Sequence, residues 1–337
     1  METRVQTVCL ILISTVLTGA ALFWLRPVMV PFVMALFITL GLRAGAEFLE
    51  ARASVPHSAA LSVTVLIGLL SLAAVAVVVS ISVGELAEKA TLYNDHVIEL
   101  IGKAEAYLPE GIRAQQEEAF GSISVSNLGG VLLGTVSAIR SALSNSFVVL
   151  IFVLFLLLGG ERGGPSSGMW GEAETRIKRY IATKAAISFT TGFLVGVTLL
   201  LLGVPLALVF ALFAFLLNFI PSIGSILSTF LPLPILVVSP EISPQTAMLA
   251  IVIPAFIQIT IGNFLEPKIM GESLDLHPVT ILLSLILWGT LWGILGMILS
   301  VPIMVVVKIL CERFEGSRPL ADLLAGRVAG LSVGGVA

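Results

Sequence analysis

Long apolar runs recur along this chain and constrain its fold more than any other feature of the sequence. The longest uninterrupted run covers residues 58–81. An apolar stretch of about twenty residues can cross a hydrocarbon core of roughly 30 Å as a helix, and a helix satisfies its own backbone polar groups in lipid. Charged residues make up 12% of the chain, whereas soluble domains carry about 25%. The sequence therefore predicts an all-α, polytopic membrane protein surrounded by lipid.

Several functional classes have no support in the sequence. Lys and Arg form no run that could follow nucleic-acid phosphates, and Cys9 and Cys311 are too far apart for a Cys-x-x-Cys pair. The zinc, phosphate-loop and dinucleotide motifs are absent from the sequence. A Gly-x-Ser-x-Gly match at 164–168 lies in a stretch, 159–175, whose Gly, Ser and Pro predict a flexible loop. We predict no enzyme activity, cofactor, metal or nucleic-acid partner.

Apolar and polar stretches divide the chain into four regions. Residues 1–81 hold the first transmembrane helices, 82–142 an amphipathic, extracytoplasmic helical arm, 143–310 the transmembrane core, and 311–337 a cytoplasmic tail. Apolar residues of the arm recur at spacings of three and four: Leu86, Ala90, Tyr93, Val97, Leu100, Ala104 and Tyr107. This stripe predicts an arm that lies on the membrane or on the protein's own core, with a heptad-like dimer seam as the alternative.

Charge asymmetry predicts the orientation. Acidic residues outnumber basic ones by eight to four in the arm, whereas the 159–184 segment has five basic and three acidic residues. Basic residues accumulate on the cytoplasmic side of membrane proteins, so we expect both termini in the cytoplasm and the arm outside. The short paired runs at 8–42, 205–238 and 278–310 return to their starting side whether they cross the membrane or form re-entrant hairpins.

Glycine pairs and tryptophans in the apolar runs have structural interpretations. Gly192/Gly196 and Gly289/Gly293 are four residues apart, a spacing that lets membrane helices pack closely. We predict a packing role for both pairs. Trp288 and Trp292 are interpreted as anchors at the membrane interface.

The segment 218–225, Asn-Phe-Ile-Pro-Ser-Ile-Gly-Ser, separates two apolar runs that are each short for a full crossing. Pro221 removes a backbone donor and Gly224 permits non-helical dihedral angles. Broken membrane helices are the best sequence indication of a transport site. Asn218, Pro221 and Gly224 are therefore candidate residues of a solute path. A tight turn at the membrane surface is the alternative.

A second interruption covers residues 263–278, where ionisable residues appear abruptly in an apolar context. Asn263, Glu266 and Pro267 directly follow the apolar run 246–262, and Gln258 precedes them by one to two turns. A carboxylate at this position could bind a proton or a cation, or accept a hydrogen bond from a polar solute. We take these four residues as further transport-path candidates. A structural Glu266–Lys268 cap is the competing interpretation.

The second half of the chain resembles the AI-2E transporter family. The residues that carry the resemblance lie between about 176 and 310. They are Arg176-Ile-Lys-Arg-Tyr180, Gly203-Val-Pro205, Phe219-Ile-Pro-Ser-Ile-Gly224, Asn263-Phe-Leu-Glu-Pro-Lys-Ile-Met-Gly271, Leu276-His-Pro278, the glycines 289, 293 and 296, and Val301-Pro302. The first half resembles the family in layout only, with Thr39, Leu40, Leu42 and Arg43 where relatives tend to carry a Tyr and a Pro, and Ser225 where Gly-Pro is common.

The resemblance implies a multi-pass permease of about eight helices that assembles as a homo-oligomer in a bacterial or archaeal plasma membrane. Members are associated with export of the signal autoinducer-2 (AI-2), and others with sodium/proton antiport. Our first hypothesis is a secondary transporter that exports a small polar solute. The alternatives are a sodium(lithium)/proton antiporter that uses Glu266, alone or with Asp275, and a membrane scaffold that acts through the 82–142 arm.

Overall fold

The chain is helical throughout the part described by the computed structural model, residues 2–106, 147–159, 168–270 and 275–327. The helices are α1 Glu2–Trp24, α2 Arg26–Ala53, α3 His57–Ala106, α4 Phe147–Gly159, α5 Met169–Leu201, α6 Ala207–Leu217, α7 Ile223–Phe230, α8 Leu233–Val238, α9 Pro244–Thr260, α10 Glu266–Met270, α11 Pro278–Arg313 and α12 Arg318–Leu324. A π-turn, Ile261–Leu265, joins α9 to α10. The predicted all-α fold is confirmed.

Five helical stretches are long and apolar enough to cross a membrane: Arg26–Ala53, His57–Lys89, Gly171–Leu201, Pro244–Ile269 and Pro278–Arg313. Shorter apolar helices accompany them. Large apolar side chains are exposed along α1 and α3, among them Leu12, Val16 and Leu70. Exposed apolar surface of this extent suits a lipid environment. The chain is a multi-pass membrane protein.

Two predicted segments, the arm and the 159–175 loop, can be compared with the helices that the structure describes. Residue 82, the predicted start of the arm, lies inside α3, which continues without a break to Ala106. Tyr93 of the apolar stripe is buried, at 4% exposure, while the rest of the predicted arm, residues 107–142, lies outside the described residues. Helix α5 begins at Met169, so the second part of the loop predicted at 159–175 is helical.

The chain folds into two compact units. The first comprises residues 1–65, 145–184 and 269–337, and the second comprises residues 66–144 and 185–268. The core of the first unit is a cluster of Val30, Phe37, Ile177, Trp288, Trp292 and Leu299. The core of the second is formed by Val195, Leu199, Val204, Ala207, Phe210, Ala214, Leu236 and Ala250.

Helix α11 of the first unit is a hairpin. Gly293 has φ 68° and ψ −148°, outside the helical region, and the backbone of Gly296 touches the carbonyl group of Trp288, eight residues earlier. At the other end, Nζ of Lys308 lies 2.5 Å from Oδ2 of Asp275. A continuous helix would separate these two residues by about 50 Å. The two arms of the hairpin, residues 278–292 and 294–313, therefore lie against each other, and their ends meet.

The first arm, residues 278–292, is about 22 Å long at 1.5 Å per residue, which is short of the roughly 30 Å hydrocarbon thickness. The meeting of the two ends of the hairpin supports the expected return of the 278–310 pair to its starting side, which stays a prediction.

The fold-back also explains where two glycines, Gly289 and Gly293, and two tryptophans, Trp288 and Trp292, lie in the structure. Gly289 faces Met297 of the second arm, whose Cε would lie 2.9 Å from an added Cβ, so its packing role is confirmed, whereas Gly293 forms the turn. Trp288 and Trp292 are buried, at 8% and 9% exposure, and Nε1 of Trp292 donates to the carbonyl of Leu22 at 3.1 Å. Their interpretation as interface anchors is wrong, because the fold-back places them in the core.

We expect Gly293→Ala to lower the thermal stability of the protein through the backbone alone. The φ/ψ pair of Gly293 is confined to glycine, yet an added Cβ would meet nothing within 4 Å. The cost should be about 1–3 kcal/mol, measured as a lower midpoint of thermal unfolding in detergent. Gly19→Ala is the control, since Gly19 lies in helix α1 with the same open space. An equal midpoint for both variants would contradict the hairpin turn.

Candidate functional site: a buried polar set in the second unit

The second unit contains a second fold-back at the predicted break. Helix α6 ends at Leu217 and α7 begins at Ile223. Ser222 has φ 59°, and the backbone of Gly224 touches the carbonyl of Leu217, seven residues earlier. Pro221 supplies no N–H to continue the helix. The expected break at 218–225 is present, and it turns the chain back on itself.

This turn buries Asn218 at the end of α6. The residue is 3% exposed, and its Nδ2 donates to Oγ of Ser188 on α5 at 3.0 Å. Close approach of α5 and α6 makes the contact possible, because Gly192 and Gly196 pack directly against Phe215 and Ala211. The packing role predicted for this glycine pair is confirmed.

A second amide–hydroxyl pair lies on α9 and α7. Gln258 is 4% exposed, and its Nε2 donates to Oγ of Ser228 at 2.6 Å. Ser228 and Thr229 in turn donate to the carbonyl of Ser225, at 3.1 and 2.8 Å. The hydroxyls therefore have acceptors inside their own helix, and the amide of Gln258 reaches across from the neighbouring one.

One half of the Gln258 amide has no partner among the described residues. Its Oε1 is buried and accepts no hydrogen bond. The orientation of a side-chain amide is an assignment. With the oxygen and nitrogen exchanged, the nitrogen would be the atom without a partner. A buried polar atom without a partner costs about 1–3 kcal/mol. Such a cost within a membrane helix is typical of a group that acts on something else.

We define the buried polar set as Ser188, Thr191, Asn218, Ser228, Thr229 and Gln258. All six side chains are at most 6% exposed, and all lie in apolar helices of the second unit or at their ends. They combine amide and hydroxyl groups, which donate and accept hydrogen bonds. Each of the two amide–hydroxyl pairs, Asn218–Ser188 and Gln258–Ser228, has the groups to hydrogen-bond a neutral polar molecule.

The π-turn determines the direction of Glu266. Residues eight apart in an unbroken α-helix point about 80° apart, which would turn Glu266 away from Gln258. The π-turn takes up one extra residue, as shown by the bond from the N–H of Glu266 to the carbonyl of Ile261. The separation between Gln258 and Glu266 then corresponds to seven residues of regular helix, so their side chains point only about 20° apart. Glu266 is accordingly half-buried, while Leu265 and Pro267 beside it are exposed.

The π-turn also has a local cause in Pro267. A proline ring clashes with the carbonyl four residues earlier and donates no N–H to it. Widening the turn over Ile261–Leu265 accommodates the ring, and the chain continues as α10. The prediction that the interruption begins at residue 263 is therefore wrong: Asn263, Glu266 and Pro267 lie in a helix that extends to Met270.

The sequence candidates thus separate into two groups. Asn218, Gly224 and Gln258 are buried, Pro221 and Glu266 are half-buried, and Asn263 and Pro267 are exposed. Sequence analysis missed Ser188, Thr191, Ser228 and Thr229. The available signal was polar residues three apart in the apolar run 185–203, and a group of hydroxyls just after the break. Among the described residues, no cluster of His, Cys, Asp and Glu could hold a metal ion.

Known proteins similar to this chain are transport proteins. It is 30% identical to "AI-2 transport protein TqsA" of Escherichia coli (strain K12), over 88% of this chain and 89% of that protein. It is 27% identical to "Putative transport protein YhhT" of the same strain, over 93% of this chain and 92% of that protein. It is 25% identical to "Putative transport protein YrrI" of Bacillus subtilis (strain 168), over 91% and 94%.

These names describe membrane transport and give no support to a sodium/proton antiporter. A family model described as "AI-2E family transporter" matches residues 12–316. The match includes both fold-backs and every residue of the buried polar set. The chain belongs to the AI-2E family of transporters.

Proposed function

We propose that the protein exports a small polar solute across a bacterial or archaeal plasma membrane, along a path that includes the buried polar set. The observation that supports this most is the Gln258 amide, which is buried in a membrane helix with one polar atom unmatched. A solute hydroxyl or carbonyl would complete its hydrogen bonding. Asn218 would add contacts in this proposal, with Pro221 and Gly224 shaping the turn that buries it.

Glu266 extends this proposed path by two helical turns. It lies on the same side of the helix as Gln258, so a solute that leaves the amide would next meet a carboxylate. Asn263 and Pro267 have a different role in this proposal: Pro267 imposes the π-turn that directs Glu266, and Asn263 lies on the outer side of that turn.

The remaining features of the proposal concern orientation and assembly. The acidic excess of the 82–142 arm and the basic excess of 159–184 support cytoplasmic termini. Family membership supports a homo-oligomer, whose subunit number is testable by light scattering in detergent.

The name of TqsA makes AI-2 the first solute to assay. We retain the four-region division at 81/82, 142/143 and 310/311 as part of this proposal.

We expect Glu266→Gln to slow AI-2 efflux from reconstituted vesicles about tenfold, since hydrogen bonds to a charged group contribute roughly 1.5–3 kcal/mol. The amount of folded protein should not change, because the side chain is half-buried and the replacement has the same shape. The measurement is efflux from proteoliposomes of matched protein content.

Glu241→Gln is the matched control. Glu241 also lies in the second unit, but it is exposed and paired with Lys89 at 3.3 Å, and exposed pairs contribute little. If Glu266→Gln kept the full efflux rate, the result would contradict a role of the Glu266 carboxylate in the solute path. Proton movement driven by sodium or lithium in the same vesicles would instead support exchange of cations.

A further inference from the structure

The open end of the α11 hairpin is held by a network of charged side chains. Lys308 is 1% exposed, and its Nζ lies 2.5 Å from Oδ2 of Asp275 and 3.2 Å from Oε1 of Glu312. A buried ammonium group in an apolar helix requires such partners. One carboxylate belongs to the second arm itself, and the other to the segment that enters the first arm. The network therefore joins the two ends of the hairpin.

The segment after the hairpin, residues 314–327, folds back onto the same end. The carbonyl of Leu324 accepts hydrogen bonds from the backbone N–H of His277 and from Oγ1 of Thr280, both at 2.9 Å. Arg327 lies 3.1 Å from Asp275. Ala321 of α12 is 1% exposed. The returning segment is thus packed against the hairpin and bonded to both backbone and side chains at its entrance.

The entrance has a conformation that depends on these contacts. Asp275 has φ 46°, a left-handed conformation that Asp adopts more readily than most residues with a Cβ. His277 caps α11 by accepting from the N–H of Val279 at 3.3 Å. Gly326, at φ 77°, lies directly against the His277 ring, so only a residue without a side chain fits there.

We propose that residues 314–327 form a clamp that fixes the entrance of the α11 hairpin, Asp275–Thr280, and thereby sets the rate of the transport cycle. In the sequence, the entrance follows the passage from the second unit to the first, near residue 268. The family model ends at residue 316. Residues 317–327 of the clamp therefore lie beyond the matched region.

Charge supports the same contact. Burial alone would raise the pKa of Asp275, but the hydrogen bond and charge of Lys308, with the charges of Arg327 and Arg176, hold that pKa below its usual value. A lowered carboxyl pKa means that the folded form favours the ionised group. The contribution to stability is therefore complete above about pH 4 and is lost as the pH falls through the lowered pKa.

The test is Gly326→Val in the full-length, reconstituted protein. An added Cβ would lie 2.9 Å from Cγ of His277, so the side chain should displace the clamp. We expect amide hydrogen exchange at His277 to become roughly tenfold faster, as for the loss of one or two hydrogen bonds. Gly316→Val is the matched control, since the same addition at Gly316 meets nothing within 4 Å, and its exchange should equal that of the unaltered protein.

Deleting residues 316–337 should accelerate the exchange as Gly326→Val does. If Gly326→Val and the deletion both left the exchange rate at His277 unchanged, the proposed clamp would be wrong. The effect on transport rests on the proposed function: the maximal AI-2 efflux rate should fall about threefold with KM unchanged, and unchanged efflux despite faster exchange would overturn the role in the cycle. Because exchange is measured without solute, failure of AI-2 as substrate leaves the contact itself tested.

Discussion

Gly224→Ala should prevent the second unit from reaching its native fold. The carbonyl group of Leu217 occupies the space that the new methyl group needs, with its carbon 2.6 Å from the Cβ position and the backbone nitrogen of Asn218 at 3.4 Å. A crowded side chain can change rotamer, but here the obstacle is backbone. Overpacking typically costs 1–3 kcal/mol and occasionally more, and we expect about 3 kcal/mol or above.

The measurement is the yield of monodisperse protein from detergent and its midpoint of thermal unfolding. Gly262→Ala is the control: Gly262 also lies in a helical segment of the second unit, but an added Cβ meets nothing within 4 Å. A native midpoint for Gly224→Ala would mean that α6 and α7 do not meet as described. The turn between α6 and α7 would then no longer explain why Asn218 is buried.

The helices and both fold-backs follow from features that act locally, which is why the sequence predicts them. Apolar runs become helices because lipid leaves the backbone no other partner. Pro221 and Gly224 mark the fold-back of the second unit, since one ends a helix and the other allows close approach. The fold-back of the first unit lies within the predicted 278–310 pair, at Gly293, for which the sequence predicted only a packing role.

The candidate site is less predictable because it depends on which helical faces meet. Asn218 was recognised from the break, but its partner Ser188 lies thirty residues away on another helix. Nothing in either run specifies that pairing. Ser228 became significant only through the amide of Gln258, which reaches it from α9.

The polar block after residue 262 shows a different limit. Charged residues and Pro267 suggest that the helix ends, because each is unfavourable inside an apolar helix. The structure accommodates the proline by a π-turn, and the helix continues. A turn of this kind changes the face of every later residue. Regular helical spacing would turn Glu266 away from Gln258, whereas the π-turn directs both side chains to the same side of the helix.

Gln258→Leu should strongly reduce transport while leaving the protein folded. Leucine has a similar volume, removes the donor to Ser228, and removes the unmatched oxygen. The substitution also removes the cost of the buried, unmatched oxygen, and the Ser228 hydroxyl keeps its bond to the carbonyl of Ser225, so we expect little change in stability. AI-2 efflux should fall at least about tenfold, as for a lost polar contact in a dry site.

The comparison of stability with transport decides between a structural and a functional Gln258. If the amide only holds α9 to α7, Gln258→Leu should lower the unfolding midpoint, and efflux per folded protein should stay normal. If the amide contacts the solute, the midpoint should hold or rise while efflux is lost. Gln245→Leu is the matched control, because Gln245 lies on the same helix at its exposed start. Equal efflux in the two variants would remove Gln258 from the path and leave its unmatched atom without a functional explanation.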